Sequence, residues 1–187
     1  TIIQALVEQR ERQEQAMSQT EQLLRRMTGS ITAYMDEVGR YPLHISDYDK
    51  TVLAIRDGEF DAFKNLYPRV SDQTDDLLIE VAGRPGVVGG NMTLILLAAV
   101  ERFSPEAYLT ACKRAVETGD SWRVQTLVKE SEGRLSEPLP SLHGEVILYA
   151  YTNNCRNIAK DLIAQCTPEQ IASVPPKLLR WVAEKLD

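Results

Sequence analysis

The stretch Ala115-Val116-Glu117-Thr118-Gly119-Asp120-Ser121-Trp122-Arg123-Val124-Gln125-Thr126-Leu127 aligns without gaps to two others. They are Ala54-Ile55-Arg56-Asp57-Gly58-Glu59-Phe60-Asp61-Ala62-Phe63-Lys64-Asn65-Leu66 and Ala150-Tyr151-Thr152-Asn153-Asn154-Cys155-Arg156-Asn157-Ile158-Ala159-Lys160-Asp161-Leu162. In each copy an alanine is followed four residues later by Gly or Asn (Gly58, Gly119, Asn154). An apolar residue follows at nine (Phe63, Val124, Ala159) and a leucine at twelve (Leu66, Leu127, Leu162). The pattern predicts a helical hairpin. The small alanine lets two helices approach, and the Gly or Asn takes a left-handed backbone that ends the first helix. The apolar residue and the leucine set the second helix on the same core. A poorer copy starts at Ala82, with Gly86 and Leu94, and a half-copy falls at Ala183. The alanine spacings are then 28, 33, 35 and 33. A period near 33 points to stacked helix pairs, each burying its face against the next.

Outward from these copies, residues 49–187 read as short helices broken by Gly, Asn and Pro. Strand signals are scarce; Val87-Val88 is a β-branched pair without helical spacing. The apolar run Leu94 to Val100 could be strand or helix, and its length and Ala98-Ala99 favour a helix enclosed by neighbours. Ser104-Pro105-Glu106 and Thr167-Pro168-Glu169 each give a cap, a proline and a first-turn acid, the signature of a helix start. Asp47/Asp49, Asp57/Glu59/Asp61 and Asp75/Asp76 read as helix-start and loop acids rather than catalytic pairs. The expected fold is all-α.

The segments Ala54 to Gly58 and Ala115 to Asp120, with Leu66, Leu127 and Leu162, resemble the ankyrin-repeat family over residues 49–187. Pro140-Ser141-Leu142-His143 is similar to that family's Thr-Pro-Leu-His turn but lies too far upstream of Asn154; the turn is missing from its expected place in every copy. The resemblance implies an ankyrin-like helical-hairpin array with a concave recognition face. It puts partner contacts at the ends of the first helices, on Arg56, Asp57, Glu117, Thr118, Thr152 and Asn153.

Residues 1–28 hold no Gly or Pro and are rich in strong helix formers. Heptad positions a and d fall on Ile3, Leu6, Arg10, Gln13, Met17, Thr20, Leu24, Met27, Ile31, Tyr34 and Val38. The eight apolar occupants, Ile3, Leu6, Met17, Leu24, Met27, Ile31, Tyr34 and Val38, form an oligomerisation seam; Arg10, Gln13 and Thr20 weaken it or set its register. Gly29 is a soft spot, and Gly39 with Tyr41-Pro42 should end the helix. At 1.5 Å per residue, about 37 residues span about 55 Å, longer than the remaining chain can cover. Pairing with a second copy or another helix is therefore favoured over packing back. The organisation expected is a long helix over 1–40 with the seam of a coiled coil, a linker over 41–48, and a hairpin array over 49–187.

The 187 residues carry 21 Lys and Arg against 27 Asp and Glu, a formal charge of −6. The surplus lies in 41–144, with 11 basic against 16 acidic groups. That balance disfavours nucleic acid, which needs clustered basic groups. No apolar run is long enough to span a membrane, and no signal peptide is visible. Cys112, Cys155 and Cys166 are odd in number and lack metal-ligand spacing, so each is expected as a small buried residue in a reducing compartment, the cytosol. His44 and His143 have no neighbouring ligand pattern, so no catalytic, metal or cofactor site is expected. The glycine-rich segment Gly83 to Thr93 lacks the Lys-Ser/Thr end of a P-loop; it reads as an extended connection, with Asn91 capping the next helix. Trp122 either faces solvent as a binding hot spot or packs between repeats. Trp181 is expected in the core of a terminal helix.

The function expected is a non-enzymatic protein–protein interaction module, a scaffold or adaptor, that oligomerises through residues 1–40 and binds a protein partner. One alternative is a structural assembly subunit, such as part of a viral or secreted-effector assembly. A second alternative is a nucleotide-binding enzyme that uses the Gly83–Gly90 loop.

Overall fold

The structure, a computed structural model, describes the backbone of residues 2–40 and 45–186 and the side chains of 19–33, 35–37, 39–40 and 45–181. The fold is all-α: no strand occurs among the described residues, where extended pairing is limited to an isolated parallel bridge between Phe103 and Leu135. The chain divides into two compact units, Thr1–Ile45 and Ser46–Asp187.

The first unit is built on α1 (Ile2–Arg40), a helix of 39 residues, about 58 Å long. It runs through Gly29 without a break. The Ser30 and Thr32 hydroxyls donate to the Arg26 and Thr28 carbonyls at 3.0 and 2.9 Å, and Arg40 pairs with Asp36 one turn back. Its seam residues Leu24, Met27 and Ile31 are exposed. The side chains of Ile3, Leu6, Met17, Tyr34 and Val38 lie outside the described residues, as do Tyr41, Pro42 and His44.

The second unit contains α2 (Asp47–Asp57), α3 (Phe60–Leu66), a 3-10 turn at Tyr67–Val70, α4 (Thr74–Gly83) and α5 (Gly86–Ala99). It continues with α6 (Pro105–Glu117), α7 (Ser121–Arg134), α8 (Leu142–Thr152), α9 (Arg156–Gln165), α10 (Pro168–Ile171) and α11 (Pro176–Leu186). Helix α2 begins one residue after its cap, Ser46, and so inside the expected 41–48 linker. Ser104 and Thr167 each accept a backbone N–H of their own first turn, as their positions ahead of proline and acid anticipated, and Ser46 does the same for α2.

The aligned segments fold as hairpins: α2 with α3, α6 with α7, and α8 with α9. Their turns use the left-handed backbone that the pattern calls for, with φ of 76° at Gly58, 73° at Gly119 and 63° at Asn154. The carbonyl of the marked alanine also takes part in closing the last turn of its helix. The Ala54 and Ala150 carbonyls accept the N–H of Glu59 and Cys155, both at 2.8 Å. The Ala115 carbonyl accepts the Thr118 hydroxyl at 2.7 Å instead. Ala54, Ala115 and Ala150 have no exposed surface, and Leu66, Leu127 and Leu162 are buried with Phe63, Val124 and Ala159. Each buried leucine contributes about 1.5–3 kcal/mol. The first helices pack in chain order, α2 on α4, α4 on α6 and α6 on α8, while α3 packs on α5 and α7 on α9.

The poorer copy at Ala82 departs from the pattern. Ala82 is buried and Gly86 has a φ of 81°, but Gly86 opens α5 instead of closing α4. Leu94 is 41% exposed, and Leu96 and Leu97 take the core positions. The extended connection expected over 83–93 is also corrected: α5 begins at Gly86, Asn91 sits exposed within it, and Pro85 occupies the cap position. Glycine normally weakens a helix interior. Here two glycines are needed for contact. A Cβ at Gly89 would collide with the Arg84 carbonyl, and one at Gly90 would press on the Trp122 ring at 3.2 Å. Nor is the Leu94–Val100 run enclosed, since Leu94, Ala98 and Ala99 face outward. Trp181 is half-buried in α11, edge-on to Tyr151 with ring centres 4.9 Å apart. The Ala183 side chain lies outside the described residues.

Candidate partner-binding surface

Arg56 and Asp57 are exposed at the end of α2, Glu117 closes α6, and Thr152 and Asn153 end α8. The structure links the last two helix ends. The Tyr149 hydroxyl of α8 donates to Glu117 Oε1 of α6 at 2.6 Å, and Arg114 donates to Glu117 Oε2 at 3.1 Å. Foremost the Tyr149 bond, then Arg114, hold the Glu117 carboxyl below its usual range, and the same bond raises the Tyr149 phenol. Lys113 lies 5.7 Å from the Tyr149 ring centre and 3.8 Å from Glu145. Three of the expected contact residues bond to their own helix ends, Thr118 half-buried and Thr152 and Asn153 exposed. The Thr118 hydroxyl serves Ala115, the Thr152 hydroxyl donates to Leu148 and Tyr149, and Asn153 Nδ2 donates to the Tyr149 carbonyl. Their side chains satisfy helix ends. Arg56, Asp57, Glu117, Thr152 and Asn153 are all exposed, and Thr118 is half-buried.

Trp122 is both packed and presented. Its ring lies over Gly90 of α5, yet it remains 53% exposed. Val87, one turn before Gly90 on α5, is 80% exposed, and Leu94, one turn after, is 41% exposed. No charged residue occurs between Gly86 and Val100, so this outward face, which also carries the exposed Asn91, is uncharged.

The neighbouring Arg123 is fully buried. Its Nη1 donates to the Ala82 carbonyl at 2.9 Å and to the Arg84 carbonyl, and its Nη2 donates to the Gly86 carbonyl at 2.8 Å. Asp120, which caps α7, pairs with Nη2 at 3.0 Å. This guanidinium holds the α4–α5 turn shut by occupying its carbonyls. Nothing in the sequence marked it, because an arginine in the first turn of a helix normally points to water.

The glycines of the Gly83–Gly90 segment lie mostly within α5 and serve packing, so the phosphate-cradling loop imagined for a nucleotide enzyme is not formed there. Among the described residues no cluster of three metal-ligating side chains occurs, and no helix is long and apolar enough to cross a membrane. The three cysteines are free. Cys112 is buried as expected, with its thiol pushed up to about 12 by burial, whereas Cys155 and Cys166 are only half-buried. His143 lines a cavity of about 520 Å³ with Arg102, Ser131, Glu132, Ser136 and Gln170, and burial lowers its pKa.

No family model, no curated protein and no solved structure matches the chain.

Proposed function

We propose that the chain is a protein–protein interaction module, a scaffold or adaptor without enzymatic activity, that self-associates through α1 and recognises a protein partner with an ankyrin-like hairpin array. One observation carries the self-association: Leu23, Leu24, Met27, Ile31 and Met35 of α1 are 59, 57, 55, 60 and 64% exposed. Leu24, Met27, Ile31 and Met35 follow one another at three- and four-residue steps, so they share one side of the helix. Helices in proteins are stabilised chiefly by packing of such a face, and an apolar stripe of this length marks an interaction surface. A second copy of the same seam supplies the matching apolar face. The positive-φ turns and buried alanines shared by α2/α3, α6/α7 and α8/α9 support the array reading. Arg56, Asp57, Glu117 and Trp122 are its outward contacts. Three free thiols fit a reducing compartment such as the cytosol.

A second reading, a structural assembly subunit, draws support from the uncharged face of Val87, Leu94 and Trp122, where the array would pack on copies of itself. Light scattering across a concentration series separates the two. An adaptor holds one small, discrete mass at all concentrations above its dissociation constant. An assembly subunit grows continuously, and Val87→Lys halts that growth. A strictly monomeric protein at every concentration would count against both.

A further inference from the structure

We propose that the cleft at the C-terminal ends of α2, α4 and α6 binds a phosphoryl group. The cleft encloses about 320 Å³ and is lined by Arg56, Arg84 and Arg114, with Glu80 as its one carboxylate. The lining sets three guanidinium groups against one carboxylate, with Glu117 paired to Arg114 beside it, so the cleft keeps a positive surplus. A phosphate monoester carries about −1.5 to −2 at pH 7 and offers three acceptor oxygens. A carboxylate offers less charge and one fork of two oxygens.

Arg84 makes the cleft more than a basic patch. Its Nε is shut off from solvent without a hydrogen-bond partner, and among the described residues its guanidinium has no acceptor. A cationic donor group left without an acceptor is unfavourable, and an oxyanion in the cleft that Arg84 lines would supply one. The group is also pre-placed. It lies across Gly58, where a Cβ would meet Arg84 Nη2 at 2.6 Å. Arg56 and Arg114 stand on the rim in loose or exposed pairs, with Glu80 at 3.9 Å and Glu117 at 3.1 Å. Such pairs are worth little and are readily exchanged.

Arginines near helix C-termini commonly serve the terminal carbonyls, but here those carbonyls are already occupied. The Ala54 and Ile55 carbonyls accept from the Gly58 and Glu59 N–H groups. The Ala82 and Arg84 carbonyls accept from Arg123. In α6, the Arg114, Ala115 and Val116 carbonyls accept from Thr118 and Gly119. The helix-end carbonyls thus claim none of the three guanidinium groups: among the described residues Arg84 has no acceptor, and Arg56 and Arg114 hold only the carboxylates of Glu80 and Glu117. The chain as a whole carries −6, so diffuse attraction cannot account for anion binding at this place. The site goes beyond the recognition reading and does not depend on α1.

Calorimetric titration of the full chain with inorganic phosphate, phenyl phosphate and acetate, at fixed ionic strength, tests it. Both phosphates should saturate with a Kd tighter than about 1 mM, and acetate should bind at least about tenfold more weakly. Arg84→Gln and Arg114→Gln should each weaken phosphate about tenfold or more, while Arg102→Gln, outside the cleft, leaves it unchanged. Arg114 is exposed and supports no core, so its variant carries the test should Arg84→Gln fail to fold. A phosphoserine peptide that binds tighter than inorganic phosphate assigns the group to a modified protein; equal affinity assigns it to free phosphate. Absence of saturation, acetate binding equal to phosphate, or phosphate affinity unaltered by Arg114→Gln overturns the site.

Discussion

Arg123 places a whole charge in the interior and spends it on the carbonyls of Ala82, Arg84 and Gly86, with Asp120 as counter-ion. Arg123→Met would leave those carbonyls without their donor and Asp120 with only its helix-cap bond, and breaking one side of such a buried set costs about 3–5 kcal/mol. Urea unfolding should show that loss, and a change below about 1 kcal/mol would mean the turn is held by other contacts. Gly119 is the opposite case. It has nothing within 4 Å, yet its φ is 73°, so Gly119→Val should destabilise by more than about 1 kcal/mol through backbone strain alone. His143 gives a pH signature. Burial, opposed by the nearby Glu132 carboxylate, lowers its pKa, so below about 6.5 the unfolded chain binds the proton more readily. Its contribution to stability is present above the unfolded pKa and is lost as pH falls through the folded one. Melting temperature should therefore decline as pH falls below about 6.5, and His143→Gln should flatten that decline.

At the scale of the element, α5 shows why propensity misleads. It carries Gly86, Gly89 and Gly90 in its first five residues and still forms a helix. Gly89→Ala should therefore destabilise, although alanine is the better helix former, because the new Cβ meets the Arg84 carbonyl. Gly133, in α7, has open space around its Cα direction, and Gly133→Ala should stabilise by about 0.4–1 kcal/mol. Thermal unfolding of the two variants side by side checks the pair; equal effects would show that contact at Gly89 is not what fixes α5. The hairpin turns were legible because the sign of φ at Gly58, Gly119 and Asn154 is a local property that the residue type reports. The start of α5 was not. What permits it, the approach of the Arg84 carbonyl and the Trp122 ring, comes from residues before and after it in the chain.

For the molecule as a whole, sequence reading recovered the all-α class, the long first helix and the three hairpins, since each is written in periodicity or turn chemistry. The surface was less legible. Thr118, Thr152 and Asn153, expected as partner contacts, also bond to their own helix ends, which sequence spacing does not report. Rotamer choice of that kind is decided by which carbonyls are left open. Arg84 and Arg114 were overlooked although Arg56 and Arg84 each stand two residues after a marked alanine and Arg114 one before; their convergence becomes visible only once α2, α4 and α6 lie side by side. The claim that most needs a measurement is that the exposed face of α1 joins two or more copies of the chain. Sedimentation equilibrium of the full chain beside Leu24→Lys/Ile31→Lys, with far-ultraviolet circular dichroism on both, tests it. A discrete oligomer that becomes a monomer in the double variant, with the unfolding transition of the hairpins intact, is the expected result. An oligomer unchanged by the two lysines, or a wild-type chain that is monomeric throughout, would contradict it.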